Sequence, residues 1–384
     1  KLTTANSQYE KFHFSSNWFK KEDSEPDCGI YCPETGLWPN GEICDPIKKA
    51  RQLKISLHNA VDITDRVLMG KNAKASEIPW QASIRNVPTF HQIINKYHNS
   101  QDEVPGLHFC GGSVLNKSWI LSAAHCFVDS HGRRKPVARL SEVAIIVGQN
   151  SRLGTSEKII NADPFLKDHG NHMSFVRTIV THPNYDAKLP VGRVNDIALL
   201  EMEKPIIYHK DSYNFPYITT VRPVCLPHPD FEQRILNSGM ASDIEQLNCQ
   251  ISGFGQTHLK NETSRQGTYD STEINASSST STGKTEKFAW DELVKAPISV
   301  KISPDDCRNS LREVNNQASI SSSNLCALGE RRVDGHSKRE FRIDTCAGDS
   351  GGPLTCLDFE DKKMFENTEP EKLRKTLFGI VSWG

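Results

Sequence analysis

The sequence contains no long apolar run and no excess of either charge. Its longest apolar segments, such as Val143–Val147, are the length of one β-strand, whereas a membrane span requires roughly 18 apolar residues. The 384 residues include 46 basic and 47 acidic side chains, and the formal net charge is -1. This balance gives no reason to expect nucleic acid or an anionic membrane as a partner.

The chain begins at Lys1 without an initiator Met or a signal peptide, so we expect a processed chain or a fragment. Residues 1–66 show no pattern typical of an apolar core. Cys28, Cys32 and Cys44 lie there among Gly and Pro residues. A zinc site is one alternative, but three thiols without a nearby pair of histidines do not favour it. We instead predict a small pro-region stapled by disulfides.

Eleven cysteines in a chain of this size indicate an oxidising compartment. Three Asn-X-Ser/Thr triplets also occur, which are acceptors for N-linked glycans in secreted proteins. We therefore predict a secreted, extracellular protein with glycosylation at Asn116, Asn261 and Asn275.

From Trp80 onward the apolar segments are short, rich in β-branched residues and separated by turn residues, which is typical of all-β barrels. No sustained helical period interrupts them. The segments predicted as strands include Ser118–Ser122, Val143–Val147, Phe175–Thr181, Ile197–Met202 and Leu377–Ser382.

Long polar insertions separate these strands, and we expect them to be surface loops. One of them carries the basic pairs Arg331-Arg332 and Lys338-Arg339, which could form an exosite for a polyanion or a protein. Solvated loop charge is the interpretation we favour for both pairs. The insertions cover residues 86–108, 256–287, 329–342 and 358–376.

A serine between small residues marks the stretch Asp344–Leu354, which reads Asp-Thr-Cys-Ala-Gly-Asp-Ser-Gly-Gly-Pro-Leu. Glycines tolerate a tight turn and let a substrate carbonyl approach Ser350. The backbone N–H groups of Gly348 and Ser350 could then bind a developing oxyanion. We interpret Ser350 as a nucleophile.

Two further stretches supply a base and a carboxylate. Leu121–Cys126 contains His125 in Leu-Ser-Ala-Ala-His-Cys, and Asn195–Leu200 contains Asp196 in Asn-Asp-Ile-Ala-Leu-Leu. With these motifs in the order His, Asp, Ser, the chain resembles the chymotrypsin-like (trypsin family) serine proteases. The resemblance runs from Val67 to Gly384.

The resemblance implies an all-β protease domain over residues 67–384, built from two antiparallel six-stranded β-barrels and preceded by the pro-region 1–66. It also implies that Ser350 attacks the substrate carbonyl, that His125 is the general base and that Asp196 orients the imidazole. The expected substrates are extended polypeptides, which would pair with the backbone of Ser382, Trp383 and Gly384.

Asp344 lies six residues before Ser350. In family members that have an acidic residue at this position, its side chain forms the bottom of the specificity pocket. A carboxylate buried there prefers an ammonium or guanidinium partner. We therefore expect cleavage after Arg or Lys.

The family is made as zymogens that are cut after a basic residue. Here the cut would follow Arg66 and free Val67, whose new amino group would pair with Asp349. Although Val67-Leu-Met-Gly keeps only part of the usual activation motif, the later Pro-Trp80-Gln81 strand resembles that of the family. An upstream protease as activator and protein inhibitors as regulators are the further partners that this implies.

The resemblance also suggests the disulfides Cys110–Cys126, Cys249–Cys356 and Cys307–Cys326. Cys225 would tether the pro-region through Cys28, Cys32 or Cys44. Cys346 would be left without a partner, because family members continue past Gly384; we expect a truncated domain. No cofactor or metal is predicted, and no calcium ligands are identifiable in the sequence.

These observations predict a secreted serine endopeptidase of a selective or cascade type. The alternative is a catalytically silent, protease-like binding protein that uses its loops for partners, and the complete triad argues against it.

Overall fold

The structure is a computed structural model. It describes residues 28–29, 31, 70–74, 77–86, 107–135, 138–148, 172–186, 194–208, 221–227, 249–255, 293–301, 309, 324–333, 340–342, 344–345, 348–357 and 374–383. Strands dominate this part of the chain. They are β1 (Lys71–Asn72), β2 (Gln81–Asn86), β3 (Leu107–Val114), β4 (Trp119–Ser122), β5 (Val143–Val147), β6 (His172–Thr181), β7 (Ala198–Met202), β8 (Gln250–Gly253), β9 (Val294–Lys301), β10 (Cys326–Gly329), β11 (Arg331–Val333), β12 (Glu340–Arg342), β13 (Pro353–Leu357) and β14 (Lys375–Ile380).

The first half of the molecule is a closed barrel with the strand order β2-β3-β4-β7-β6-β5, and all its neighbouring strands are antiparallel. All five residues of β5 are buried, as expected for a continuous apolar strand. The barrel is filled by large side chains that solvent does not reach, among them Ile84, Ile120, Ile145 and Leu200.

The second half is a six-stranded antiparallel sheet with the order β1-β9-β8-β13-β14, to which β10 adds by pairing with β9. Its smaller core includes Ile251, Val300 and Leu354. The all-β fold class is thereby confirmed, with one closed barrel and a second sheet.

The observed strands lie close to the predicted segments. Val143–Val147 forms β5 with the predicted bounds, and β4 begins one residue after Ser118. The last predicted strand is displaced, because β14 ends at Ile380 and Val381 then bonds the turn at Gly351 and Gly352 instead of a neighbouring strand. The polar insertion 329–342, expected as a loop, contains the hairpin β11-β12.

Direct contacts join the barrel to the second sheet. The N–H of Gly111 in β3 donates to the carbonyl of Ser350 over 2.7 Å. The hydroxyl of Ser252 in β8 donates to Gln81 Oε1 in β2 over 2.7 Å, and both side chains are buried. The stretch predicted to carry the nucleophile therefore lies at the junction of the two halves.

The predicted presence of disulfides is confirmed. Bonds join Cys110 to Cys126 and Cys249 to Cys356, and Cys28 is the partner of Cys225. Cys326 is also disulfide-bonded. Cys32, Cys44, Cys307 and Cys346 lie outside the described residues. Within the described ranges, no helix has the length and apolar character that crossing a membrane would need.

Candidate active site

His125 lies in the 3-10 helix Ala124–Cys126, directly after β4, and the bond from Cys126 to Cys110 fixes this helix against β3. Its Nδ1 atom is 2.7 Å from Asp196 Oδ2, and its backbone N–H donates to Asp196 Oδ1 over 2.8 Å. A carboxylate only accepts, so Nδ1 carries the proton. Nε2 of the neutral ring is therefore left with a lone pair that can accept a proton.

Asp196 follows an unusual turn just before β7. Asn195 has a φ of 55°, and its side-chain amide donates to the carbonyl of Asn184 over 3.0 Å. Asparagine tolerates this left-handed conformation better than most residues. The turn brings the buried Asp196 carboxylate to the imidazole of His125.

The hydroxyl of Ser382 also donates to Asp196 Oδ2, over 2.5 Å. Burial by itself would raise the pKa of Asp196. The hydrogen bonds from His125 and Ser382 and the charge of His125 outweigh burial and hold that pKa below its usual value. Asp196 is thus kept ionised, as a group that stabilises an imidazolium must be.

Ser350 lies in a turn that requires glycine on both sides. Gly348 and Gly351 have φ values of 101° and 80°, and a Cβ on Gly351 would lie 2.2 Å from Ser122 Oγ. The Ser350 carbonyl accepts from Gly111 and lies 3.9 Å from the Sγ atom of Cys126, the residue after His125.

The described residues include no hydrogen bond between the side chains of Ser350 and His125. Such bonds commonly tighten only when substrate is bound. The structure therefore brings His125, Asp196 and Ser382 into one hydrogen-bonded group, with the turn of Ser350 packed beside it.

No motif in the sequence points to a role for His108. Its Nε2 atom is 2.9 Å from the carbonyl oxygen of Gly348, and its Nδ1 atom is 2.9 Å from Ser83 Oγ. Arg85, which is buried, donates from Nε to the same hydroxyl over 3.0 Å. His108 fell at the end of the polar insertion 86–108, and only its place two residues before Cys110 could have drawn attention to it.

Asp349 lines an open cleft between β8, β9 and the Ser350 turn. Its Oδ1 atom accepts the N–H of Gly255 over 2.8 Å. A Cβ on Gly253 or Gly255 would lie 2.0 or 2.4 Å from the Asp349 side chain, so this carboxylate requires glycine at both positions.

Asp344 lines the same cleft and is exposed, and its Oδ1 atom accepts the N–H of Thr345 over 2.8 Å. The segment of Ser382 and Trp383 runs beside the Ser350 turn, because Val381 exchanges backbone hydrogen bonds with Gly351 and Gly352. Gly384 lies outside the described residues.

Other predicted positions are described only in part. Asn116 is half-buried, and its Oδ1 atom accepts the N–H groups of Ser118 and Trp119, each over 2.9 Å. Arg66, Val67, Asn261 and Asn275 lie outside the described residues.

Within the described part of the chain, one group of three residues has the spacing of metal ligands, namely Cys110, His125 and Cys126. The two sulfurs are bonded to each other, and a disulfide supplies no thiolate to a metal.

The comparisons with known proteins agree on one family. The family described as Trypsin matches residues 67–308. Among curated proteins, the chain is 26% identical over 339 residues to Transmembrane protease serine 9 of Rattus norvegicus, covering 88% of this chain and 21% of that protein. It is 27% identical over 329 residues to CLIP domain-containing serine protease B9 of Anopheles gambiae, covering 84% and 58%. It is 28% identical over 337 residues to Ovochymase of Halocynthia roretzi, covering 86% and 15%. The chain thus spans between about a seventh and about three fifths of the length of these relatives.

Proposed function

Because this chain belongs to the trypsin family of serine proteases, we propose that it is a secreted endopeptidase that cleaves polypeptides after Arg or Lys. The observation that carries the proposal is the 2.7 Å hydrogen bond from His125 Nδ1 to Asp196 Oδ2, beside the glycine-flanked turn of Ser350. These groups match what nucleophilic attack on a peptide carbonyl requires.

In the proposed reaction His125 Nε2 removes the proton of the Ser350 hydroxyl as its oxygen attacks the scissile carbonyl. Asp196 stabilises the imidazolium that forms, and the N–H groups of Gly348 and Ser350 bind the oxyanion. The imidazolium then gives its proton to the leaving amine, which leaves an acyl group on Ser350. Water attacks this ester by the same steps and restores the enzyme.

The preference for Arg or Lys rests on Asp344. The carboxylate is in the cleft next to the Ser350 turn, and its exposure leaves it open to a cationic side chain. A guanidinium or ammonium group would complete its hydrogen bonding.

Activation by cleavage after Arg66 is supported by the path of the chain just beyond the predicted cut. A Cβ on Gly70 would lie 2.6 Å from both the Lys295 carbonyl and the Val294 side chain, and those two residues line the same cleft as Asp349. Three extended residues span about 10 Å. A free amino group on Val67 could therefore reach Asp349, which would order the turn that holds Gly348 and Ser350.

The disulfides among the described residues support an oxidising, extracellular location. The bond from Cys28 to Cys225 would keep the pro-region attached after the cut at Arg66. An attached pro-region and long polar insertions in the sequence favour a selective or cascade protease, with an upstream activating protease and protein inhibitors as partners.

Labelling with a fluorophosphonate probe tests the proposal against a catalytically silent binding protein. The chain would be cleaved with trypsin, and a new amino terminus at Val67 would be verified by sequencing. We expect the probe to label Ser350, as located by mass spectrometry, and the Ser350→Ala variant to remain unlabelled. Absence of labelling in a folded chain with a free Val67 would exclude the enzyme.

A further inference from the structure

Part of the N-terminal region is built into the second sheet. Besides the Cys28–Cys225 bond, the N–H of Gly29 donates to the carbonyl of Pro223, and the N–H of Lys375 donates to the carbonyl of Gly29, both over 2.8 Å. Gly29 has a φ of 70°, and a Cβ there would lie 2.5 Å from the Lys375 carbonyl. The backbone at Gly29 is therefore held from both sides.

Two residues beyond Gly29, the ring of Tyr31 lies against two side chains of the protease domain. The Nζ atom of Lys375 is 4.5 Å from the centroid of the ring. The indole of Trp80, which is fully buried, meets the ring edge-on at a centroid distance of 6.3 Å and an interplanar angle of 73°. The first is a cation–π contact and the second an edge-to-face aromatic contact, and both are favourable interactions.

The lysine that Tyr31 contacts belongs to a buried group of charges. Glu77 and Lys375 are only 3% and 6% exposed. Glu77 forms an ion pair with Lys295 through Oε1, and its Oε2 atom accepts the N–H of Lys74 over 2.9 Å. Burial, opposed by the charge of Glu77 and assisted by the charge of Lys295, lowers the pKa of Lys375 to about 7. The carboxylate of Glu77 is thus paired with Lys295, and an aromatic face is a suitable cover for the second buried amine, that of Lys375.

We propose that Tyr31 is a lid over Lys375, and that its ring keeps the buried amine away from solvent. The lid follows from these contacts alone, whatever reaction the protease domain catalyses.

Chemical labelling of lysine measures this cover directly. The full chain would be treated at pH 8 with a small water-soluble acetylating reagent, and acetylation of Lys375 would be followed by mass spectrometry relative to the exposed Lys204. An amine of lowered pKa that reached solvent would react faster than Lys204, since more of it is neutral. We expect Lys375 to react at least about tenfold more slowly than Lys204, because it is covered.

The ring is tested with a matched pair of substitutions. Tyr31→Phe keeps the aromatic face and should leave Lys375 protected, whereas Tyr31→Ala should raise its acetylation rate by about tenfold or more while Lys204 is unaffected. Equal rates in the two variants, or rapid labelling of Lys375 in the unmodified chain, would overturn the proposal.

If Tyr31→Ala fails to fold, hydrogen exchange in the unmodified chain tests whether the segment carrying Tyr31 is docked. In the unmodified chain, the amides of Lys375 and Leu377 donate to Gly29 and Cys225, respectively. If the segment is docked, we expect both amides to be protected from hydrogen exchange. Fast exchange at Lys375 beside slow exchange at Leu377 would show that the segment is not held. Neither readout depends on turnover, so both remain valid if the fluorophosphonate probe fails to label Ser350.

Discussion

Among single residues, His108 shows how directional hydrogen bonds can position a loop. The Gly348 carbonyl only accepts, so His108 Nε2 must carry a proton. In the neutral ring, Nδ1 then accepts from Ser83, whose oxygen already receives a hydrogen bond from Arg85. The peptide between Gly348 and Asp349 is thereby fixed, on the loop whose N–H groups are proposed to bind the oxyanion.

We predict that His108→Leu slows catalysis without weakening substrate binding. One positioning hydrogen bond contributes about 1 kcal/mol, and about 1.4 kcal/mol corresponds to tenfold in rate. The kcat for a peptide ester should therefore fall by roughly fivefold while KM changes little. The exposed His131 provides a control, since His131→Leu should leave both constants unchanged. An unaltered kcat in His108→Leu would contradict a positioning role.

A second prediction concerns the choice of substrate. Asp344→Ser removes the carboxylate that is proposed to pair with Arg or Lys, so the preference for basic residues should be lost in a peptide library. Ser350 and His125 are unchanged, so labelling by the fluorophosphonate probe should persist. A cleavage profile that still requires Arg or Lys would mean that another group binds the cation.

Among the strands, β14 shows which features the sequence could predict. Its apolar residues, such as Leu377, predict a strand because they form one of the short apolar segments that turn residues separate. Its first two residues, Lys375 and Thr376, fall within the charged insertion predicted over 358–376. Lys375 is buried because the fold brings it to Glu77 and Lys295, which are far away in the sequence. No local pattern reports such a long-range contact.

The buried lysine should make stability depend on pH. Its pKa falls from 10.5 to about 7 in the folded chain, so between these values unfolding takes up a proton. The free energy of unfolding should then rise with pH by about 1.4 kcal/mol per unit. Urea unfolding at pH 7, 8 and 9 measures this slope.

Substitution separates Lys375 from the other titrating groups. Lys375→Met should reduce the slope between pH 7 and 9 and stabilise the chain most at pH 7, where the buried amine is most protonated. Lys204→Met, at an exposed position, should retain the full slope. Equal slopes in Lys375→Met and the unmodified chain would show that Lys375 does not titrate in this range.

For the whole molecule, residues that stand in short local motifs could be predicted from the sequence, whereas pairings between distant residues could not. Ser350, His125 and Asp196 each stand in a short, distinctive stretch, so they could be selected before any geometry was known. The disulfide partner of Cys225 could not be selected in this way, because the sequence offers no basis for choosing among three cysteines of one segment. The structure pairs it with Cys28, 197 residues away.

This pairing predicts the form of the cleaved protein. After a cut at Arg66, the two chains should migrate together in a non-reducing gel and separate once a reductant is added. Cys28→Ser should release the smaller chain under non-reducing, denaturing conditions, while Cys32→Ser should not. Co-migration that survives Cys28→Ser would assign the tether to another cysteine.

The hydrogen bond from Gly111 to Ser350 also has a mechanical consequence. It runs from the barrel to the turn that carries the proposed nucleophile, and the buried bond from Ser252 to Gln81 lies between the same two halves. If the two halves moved apart, the hydrogen bond at Ser350 would break, and the buried side chains of Ser252 and Gln81 would lose each other as partners. We therefore expect a substrate to bind along the groove between the two halves without prising them apart.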